Sequence, residues 1–187
     1  MRLMLRFTAG DESAFDELVR RNTHKVHALV YRFLGGTGSV EDVTQEVFLR
    51  IYRTAGRYVP AAKFSTWLYR IVANLSFNVI RARQRRQEFQ LPQSPDEDGG
   101  SFEPAVADQR ANLPGGNLNV EELRQQITRA VGALPENQQI AVILHQYEHK
   151  GYEDIAEVLG CSTMAVKSLL SRARQNLRYA LRRYLKD

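Results

Sequence analysis

The chain holds 187 residues, 43% apolar and 25% charged, with 26 Lys and Arg against 21 Asp and Glu, a net charge of +5. That suits one ordinary domain or two small ones with packed cores, and it excludes a wholly disordered chain. A single cysteine, Cys161, excludes a disulfide framework and a cysteine-rich metal module, while the early Arg6 and the lack of a long apolar run speak against a secretory signal or membrane insertion.

Periodicity then predicts helices in chain order. Asp11 or Ser13 can cap a helix with the stripe Phe15, Leu18, Val19, and a second stripe follows at Val26, Leu29, Val30, Phe33. Gly35-Gly36-Thr37-Gly38 ends it. Ser39 with Asp42 resembles a capping box and opens a helix with Val40, Val43, Val47 and Ile51 on one face. Pro60 breaks the chain. Phe64, Trp67, Leu68, Ile71, Val72, Leu75 and Val79 next trace a long amphipathic helix that ends in the basic run Arg81 to Arg86.

From Glu88 to Val120 the sequence has four of its six prolines, two Gly-Gly pairs and no apolar period, which reads as a linker. A helix is predicted from about Glu121 to Ala133, and another after Pro135, which a first helical turn tolerates, to about His149, with Gly151 stopping it. No segment alternates with the two-residue period of strands. The expectation is an all-α chain of two small helical domains, 1–87 and 121–187, joined by a flexible linker, 88–120. Their charges differ: 15 basic and 7 acidic residues in the first, a net +8; 1 and 6 in the linker, a net −5; 10 and 8 in the last, a net +2.

The most specific local signal spans Tyr152 to Arg183. A short helix to Leu159, a turn at Gly160-Cys161-Ser162 and a helix from Thr163 have the spacing of a helix-turn-helix. Small Ala156 allows a close crossing, Gly160 can take a positive φ, Val166 packs back on Ile155 and Leu159, and Ser162 can cap the second helix. That helix carries Lys167, Ser168, Ser171, Arg172, Arg174 and Arg178 away from its apolar side, and such side chains suit phosphates and major-groove edges. Cys161 reads as a small buried apolar residue.

The first lobe offers another surface. Tyr58, Phe64, Trp67, Tyr69 and Phe77 lie among Lys63, Arg70, Arg81, Arg83, Arg85 and Arg86, and Asn74 and Asn78 share a helical face. Aromatic platforms beside cations suit unstacked bases, each stack contributing roughly 1–3 kcal/mol. Phe64, Trp67 and Phe77 also fit core packing, and for Trp67 both readings stay open. His145-Gln146-Tyr147-Glu148-His149 matches the H-x-x-E-H pattern of inverted zinc proteases, but no third ligand is evident. His24 and His27 read as surface residues. Gly36-Thr37-Gly38 lacks the strand and third glycine of a dinucleotide site. Neither metal nor cofactor nor enzymatic activity is expected.

The order of motifs resembles a known family. Ala9-Gly10-Asp11-Glu12-Ser13-Ala14-Phe15, Glu41-Asp42-Val43-Thr44-Gln45-Glu46-Val47-Phe48, Phe64-Ser65-Thr66-Trp67-Leu68-Tyr69-Arg70-Ile71-Val72-Ala73-Asn74, Leu134-Pro135-Glu136 and the closing helix-turn-helix together resemble a bacterial RNA polymerase sigma factor of the extracytoplasmic-function (ECF) group. The resemblance implies a cytoplasmic protein that directs transcription initiation with core RNA polymerase and promoter DNA, often under an anti-sigma factor. It implies docking of Asp42, Val43, Gln45, Glu46 and Phe48 on the β′ clamp helices, with the β flap as a second polymerase contact.

By the same resemblance, Phe64, Trp67, Asn74, Asn78, Arg81 and Arg85 would engage the melted minus-ten element. Val59-Pro60-Ala61-Ala62 stands where the family supports a flipped base. Thr163, Lys167, Ser168, Ser171, Arg172 and Arg174 would read the minus-thirty-five element as duplex. A 33-residue linker extends to at most roughly 110 Å and averages roughly 30 Å as a coil; elements some 17 base pairs apart lie about 58 Å from each other at 3.4 Å per pair. The rival reading is a conventional helix-turn-helix regulator with a ligand-binding or dimerising first lobe.

Overall fold

A computed structural model describes residues 2–36, 38–58, 63–90 and 120–184, with side chains from 87 to 90 left aside. The order is α1 (Arg2–Thr8), α2 (Glu12–Phe33), α3 (Val40–Thr54), a 3-10 turn (Ala55–Arg57), α4 (Phe64–Gln90), α5 (Val120–Gly132), α6 (Glu136–Val142), a π turn (Ile143–Tyr147), α7 (Tyr152–Leu159) and α8 (Thr163–Ala180). Among the described residues there is no strand, and no helix is long and apolar enough to cross a membrane. The linker reading for 88–120 and the Val59–Ala62 loop fall largely outside the described residues.

The two stripes expected between Phe15 and Phe33 belong to one continuous helix, α2, because no residue between them breaks the backbone ladder. Asp11 caps it: Oδ1 accepts from the Ala14 amide at 3.2 Å while Oδ2 pairs with Arg6 at 2.6 Å. Two carboxylate oxygens thus tie α1 to the start of α2 and satisfy a helical amide that would otherwise lack a partner. Ser39 precedes α3 without making a side-chain cap, so the expected capping box does not form. Val40, Val43, Val47 and Ile51 are buried as their spacing predicts. They pack with Leu29, Val30 and Phe33 of α2 and Leu68, Val72 and Phe77 of α4, each such burial contributing about 1.5–3 kcal/mol. Helix α1, absent from the sequence reading, buries Met4 and stacks Phe7 on Phe15 at 4.9 Å between centroids.

The second lobe closes around Val131, Ile140, Ile143, Leu144, Ile155, Val166, Leu170 and Ala173. Its helix-turn-helix follows the spacing: Gly160 sits at φ +66° in the left-handed region, and Ser162 Oγ accepts from the Ala165 amide at 3.2 Å. Cys161 is half-buried against this core rather than sealed within it. The helix expected to reach His149 instead turns π-helical after Val142, and the stop differs too. His149 takes the positive φ, +50°, whereas Gly151 lies in extended backbone at the N-cap of α7. The His145 ring donates from Nδ1 to the Lys150 carbonyl at 3.1 Å, which anchors this irregular turn.

The lobes pack directly on each other; their buried apolar residues form one core, and polar contacts cross between them at several points. Buried Gln139 donates from Nε2 to the Phe33 carbonyl at 2.8 Å, so the second lobe completes the C-terminus of α2. In return, Arg70 of α4 donates to the carbonyls of Glu157 and Val158 at the end of α7, where a cation also meets the negative pole of the helix. Lys63 pairs with Asp154 at 2.7 Å, and Tyr69 donates to Glu148 at 2.9 Å beneath Lys25, which itself reaches Glu148 at 3.0 Å. Backbones approach closely at one point: a Cβ added to Gly132 would lie 2.8 Å from the Cα of Gly35.

Candidate nucleic-acid and polymerase interfaces

Helices α3 and α4 leave a groove of about 490 Å³ on the first lobe. From α4 it is lined by Trp67, Asn74, Asn78 and Arg81 together with the apolar Ile71 and Leu75. These positions fall three or four residues apart, so a single face of the helix presents them. Asn78 Oδ1 accepts from Arg81 at 2.8 Å, which leaves its amide NH2 unused by that bond, and Asn74 and Asn78 are both exposed. Arg85, one turn beyond Arg81, is exposed as well.

Core packing of Trp67 does not remove it from the groove. Its ring is half-buried against Tyr58, at 5.3 Å, and Phe64, at 6.2 Å, yet another part lines the groove. Phe64 supports Trp67 and Tyr58 from outside the groove lining. Phe77 is core, edge-on to Phe33 at 5.6 Å. Arg50, Thr54 and Arg57 complete the opposite wall. Sequence reasoning missed them because they sit on another helix and turn; their shared signal is the i, i+4 spacing of Arg50 and Thr54 on the polar face of α3.

Tyr69 belongs to a different surface from the one its neighbours suggested. It is 2% exposed beneath the second lobe, and burial together with the adjacent Glu148 carboxylate pushes its hydroxyl far above the ordinary phenol range. The hydrogen bond with Asp154 holds the Lys63 ammonium above its usual value, and Lys63 in turn holds the Asp154 carboxyl below its own.

On α3 the polymerase-docking candidates divide between two faces. Asp42, Val43 and Glu46 border a small groove of about 330 Å³ shared with Leu75, Val79 and Ala82 of α4. Gln45 and Phe48 border a larger, mainly apolar groove of about 710 Å³ together with Phe15, Val19, Leu49 and Tyr52. Phe48 is only 8% exposed, whereas Leu49 is 48% and Tyr52 50% exposed. The apolar area on offer therefore comes mainly from residues absent from the sequence reading. The clue was present in Val47-Phe48-Leu49: three consecutive apolar residues cannot all face one core, and Leu49 lies off the buried stripe.

On α8, Thr163, Lys167, Ser168, Ser171, Arg172 and Arg174 are all exposed, whereas Ala173 is sealed inside. Met164, 78% exposed in the first turn, joins them and was not anticipated; a thioether chain can meet a thymine methyl. Among the described residues no group of three His, Cys, Asp or Glu side chains converges as a metal site, and His145 is engaged with Lys150.

Comparison with known proteins places these surfaces in a family. The family models for Sigma-70 region 2 and Sigma-70 region 4 match residues 18–86 and 124–177. The ECF RNA polymerase sigma-E factor of Escherichia coli is 37% identical over 92% of this chain and 89% of its own. The RNA polymerase sigma-H factor of Pseudomonas aeruginosa is 35% identical over 99% and 95%. Among solved structures, CnrH in complex with the cytosolic domain of CnrY superposes with a TM-score of 0.66, 22% identity and coverage of 96% and 94%. The sigma factor RpoE bound to the anti-sigma factor NepR, from Bartonella quintana, gives 0.63, 22%, 90% and 96%. These two share the all-helical fold; the sequence relatives carry the assignment. Its helical fold, both region matches and its relatives agree: the chain is not an enzyme but belongs to the ECF sigma factors of RNA polymerase.

Proposed function

We propose that this sigma factor binds core RNA polymerase in the cytoplasm and directs initiation by reading the minus-thirty-five element as duplex and the minus-ten element as melted strand. The observation that carries the reading is the α3–α4 groove, where Trp67, two asparagines and Arg81 converge on a space sized for an unstacked base. Trp67 supplies the platform, Asn74 and Asn78 the amides for a base edge, and Arg50, Arg57, Arg81 and Arg85 the cations for the strand. Unpairing requires a few kcal/mol, and stacking with phosphate contacts offsets it without nucleotide hydrolysis.

Helix α8 fits a major groove, with Ser162 holding its N-terminus open toward a phosphate and Lys167, Ser168, Ser171 and Arg172 on the outer face. Docking on the β′ clamp helices draws on Asp42, Glu46 and Gln45 as the polar rim and on Leu49 and Tyr52 as the apolar centre. The β flap would take the second lobe. An anti-sigma factor is a further expected partner, in keeping with the complexes formed by the structural neighbours.

The test is reconstitution. Core RNA polymerase, the protein and promoter fragments are expected to give promoter-specific initiation that neither protein supports alone. Absence of a stable complex with core, or tight operator-like duplex binding by the chain alone, would overturn the reading in favour of a conventional regulator.

A further inference from the structure

Helix α8 turns one large apolar side chain outward in its first turn. Met164 is 78% exposed, and about two and a half helical turns separate it from the sealed Ala173, so the two point in opposite directions. Val166 and Leu170 are buried on the Ala173 side. Met164 therefore heads the middle of the outer face, in line with Ser168, Ser171 and Gln175 at steps of four, three and four, all of them exposed. Lys167 flanks this line, its ammonium 5.9 Å from the centre of the Tyr152 ring. Ser162 fixes the placement: its hydroxyl accepts from the Ala165 amide at 3.2 Å and sets where the helix begins.

The surroundings restrict what such a residue can meet. Thr163 beside it, and Lys167 and Ser168 one turn on, are polar and exposed. A protein interface is built on a centre of several apolar side chains. A major groove offers instead an isolated apolar spot, the C5-methyl of thymine, set among hydrogen-bonding base edges and phosphates. A lone thioether among hydroxyls and cations is the counterpart of that pattern. The serines that follow are short, which lets the helix approach closely while the longer Met164 chain reaches ahead of them. Being unbranched and polarizable, that chain adapts to a methyl group.

We propose that Met164 is a specificity-determining residue that reads the C5-methyl of a thymine in the minus-thirty-five element. The proposal rests on the duplex reading of α8 above. Recognition helices contact base edges with their N-terminal residues, which is the place Met164 holds. Having no hydrogen bond to offer, it tells thymine from an unmethylated pyrimidine by the methyl alone.

The test uses holoenzyme formed from the full chain and core RNA polymerase. A promoter library with a randomised upstream element first gives the preferred element. Each thymine in it, on either strand, is then replaced singly by deoxyuridine, which removes the methyl and leaves base pairing unchanged. At one thymine, uracil should lower initiation at limiting holoenzyme by about four-fold, the effect of burying one methyl group. Met164→Ala should initiate equally from the thymine and uracil templates there. Met164→Leu, still apolar, should keep the difference, and Arg172→Ala should lower initiation yet keep it too. In the converse arm a cytosine takes the place of that thymine, with guanine opposite. Methylating this cytosine at C5 should raise initiation by the parent chain about four-fold and leave Met164→Ala unmoved.

The proposal is overturned if the preferred element contains no thymine, if uracil is tolerated at every thymine, or if the loss on uracil persists in Met164→Ala. A parent chain indifferent to uracil, with Met164→Ala weaker on both templates, would make Met164 a protein contact and would overturn it as well. Because Met164 is exposed, its variants should melt with the parent chain. Failure of the underlying reading shows separately: randomising the upstream element would then leave initiation by the parent chain unchanged.

Discussion

Helices α4 and α8 both present basic faces suited to nucleic acid, yet they differ in what touches those faces. On α8 all six candidate residues are exposed, and Lys167 lies over the Tyr152 ring of its own lobe. On α4 the cations at the head of the helix are held by oxygens of the second lobe, and Tyr69 between them is buried there. The face proposed to read duplex is exposed, while the face proposed to hold the strand has Tyr69 buried and two of its cations in contact with the second lobe. Two helices of similar composition thus differ in availability because one of them also serves as the platform on which the other lobe rests.

The largest expected effect separates folding from docking on the first lobe. Phe48→Ala removes a nearly buried ring and should destabilise that lobe by about 3–5 kcal/mol, lowering its melting transition. Leu49→Arg, at a half-exposed position, should leave that transition close to the parent value while weakening core-polymerase binding. Equal loss of stability in both variants would place Leu49 in the core and remove it from the docking surface.

Gln139→Ala comes next. It leaves the buried Phe33 carbonyl without its partner, at a cost of about 1–3 kcal/mol, and should uncouple the two lobes so that thermal unfolding splits into two steps. One cooperative transition at the parent temperature would mean that the α2 end finds another donor. On the exposed side of the comparison, Arg172→Ala should reduce dependence of initiation on the upstream element by about 1–3 kcal/mol without altering chain dimensions. A change in the radius of gyration would show that α8 is not independent of the contact between the lobes.

The smallest effect is acidic opening. Because Lys63 holds the Asp154 carboxyl below its ordinary value of 3.8, their contact contributes fully above that value and is lost as pH falls through the lowered one. Lys63, held above its usual 10.5, sets the other limit, so the contact persists through neutral pH. Scattering between pH 7 and pH 3 should show expansion only at the acidic end, and high salt should produce part of it at neutral pH.

Much of this was legible in the residues. The Gly160 turn, the Ser162 cap and the Ile155, Val166 and Leu170 core of the helix-turn-helix follow from spacing alone, since each depends on neighbours within about ten positions. The buried stripe of α3 was equally clear. Ser39 shows the limit of local rules, because a capping side chain acts only if its rotamer reaches an amide, and here it does not. The π turn after Val142 and the positive φ of His149 arise where the chain must leave one helix and place α7 on α4, a demand that no local signal encodes.

The sequence by itself determined the helical periodicity, the boundaries of both lobes' packed faces and the family to which the order of motifs belongs, because these reside in short-range spacing and residue chemistry. Only the tertiary structure decided which polar side chains meet the other lobe. Tyr69, Arg70 and Lys63 look like their exposed neighbours along α4, and partners some 80 to 90 residues away distinguish them. A helical period reports which face is apolar; it carries no information on which charged groups of a polar face meet oxygens from another lobe.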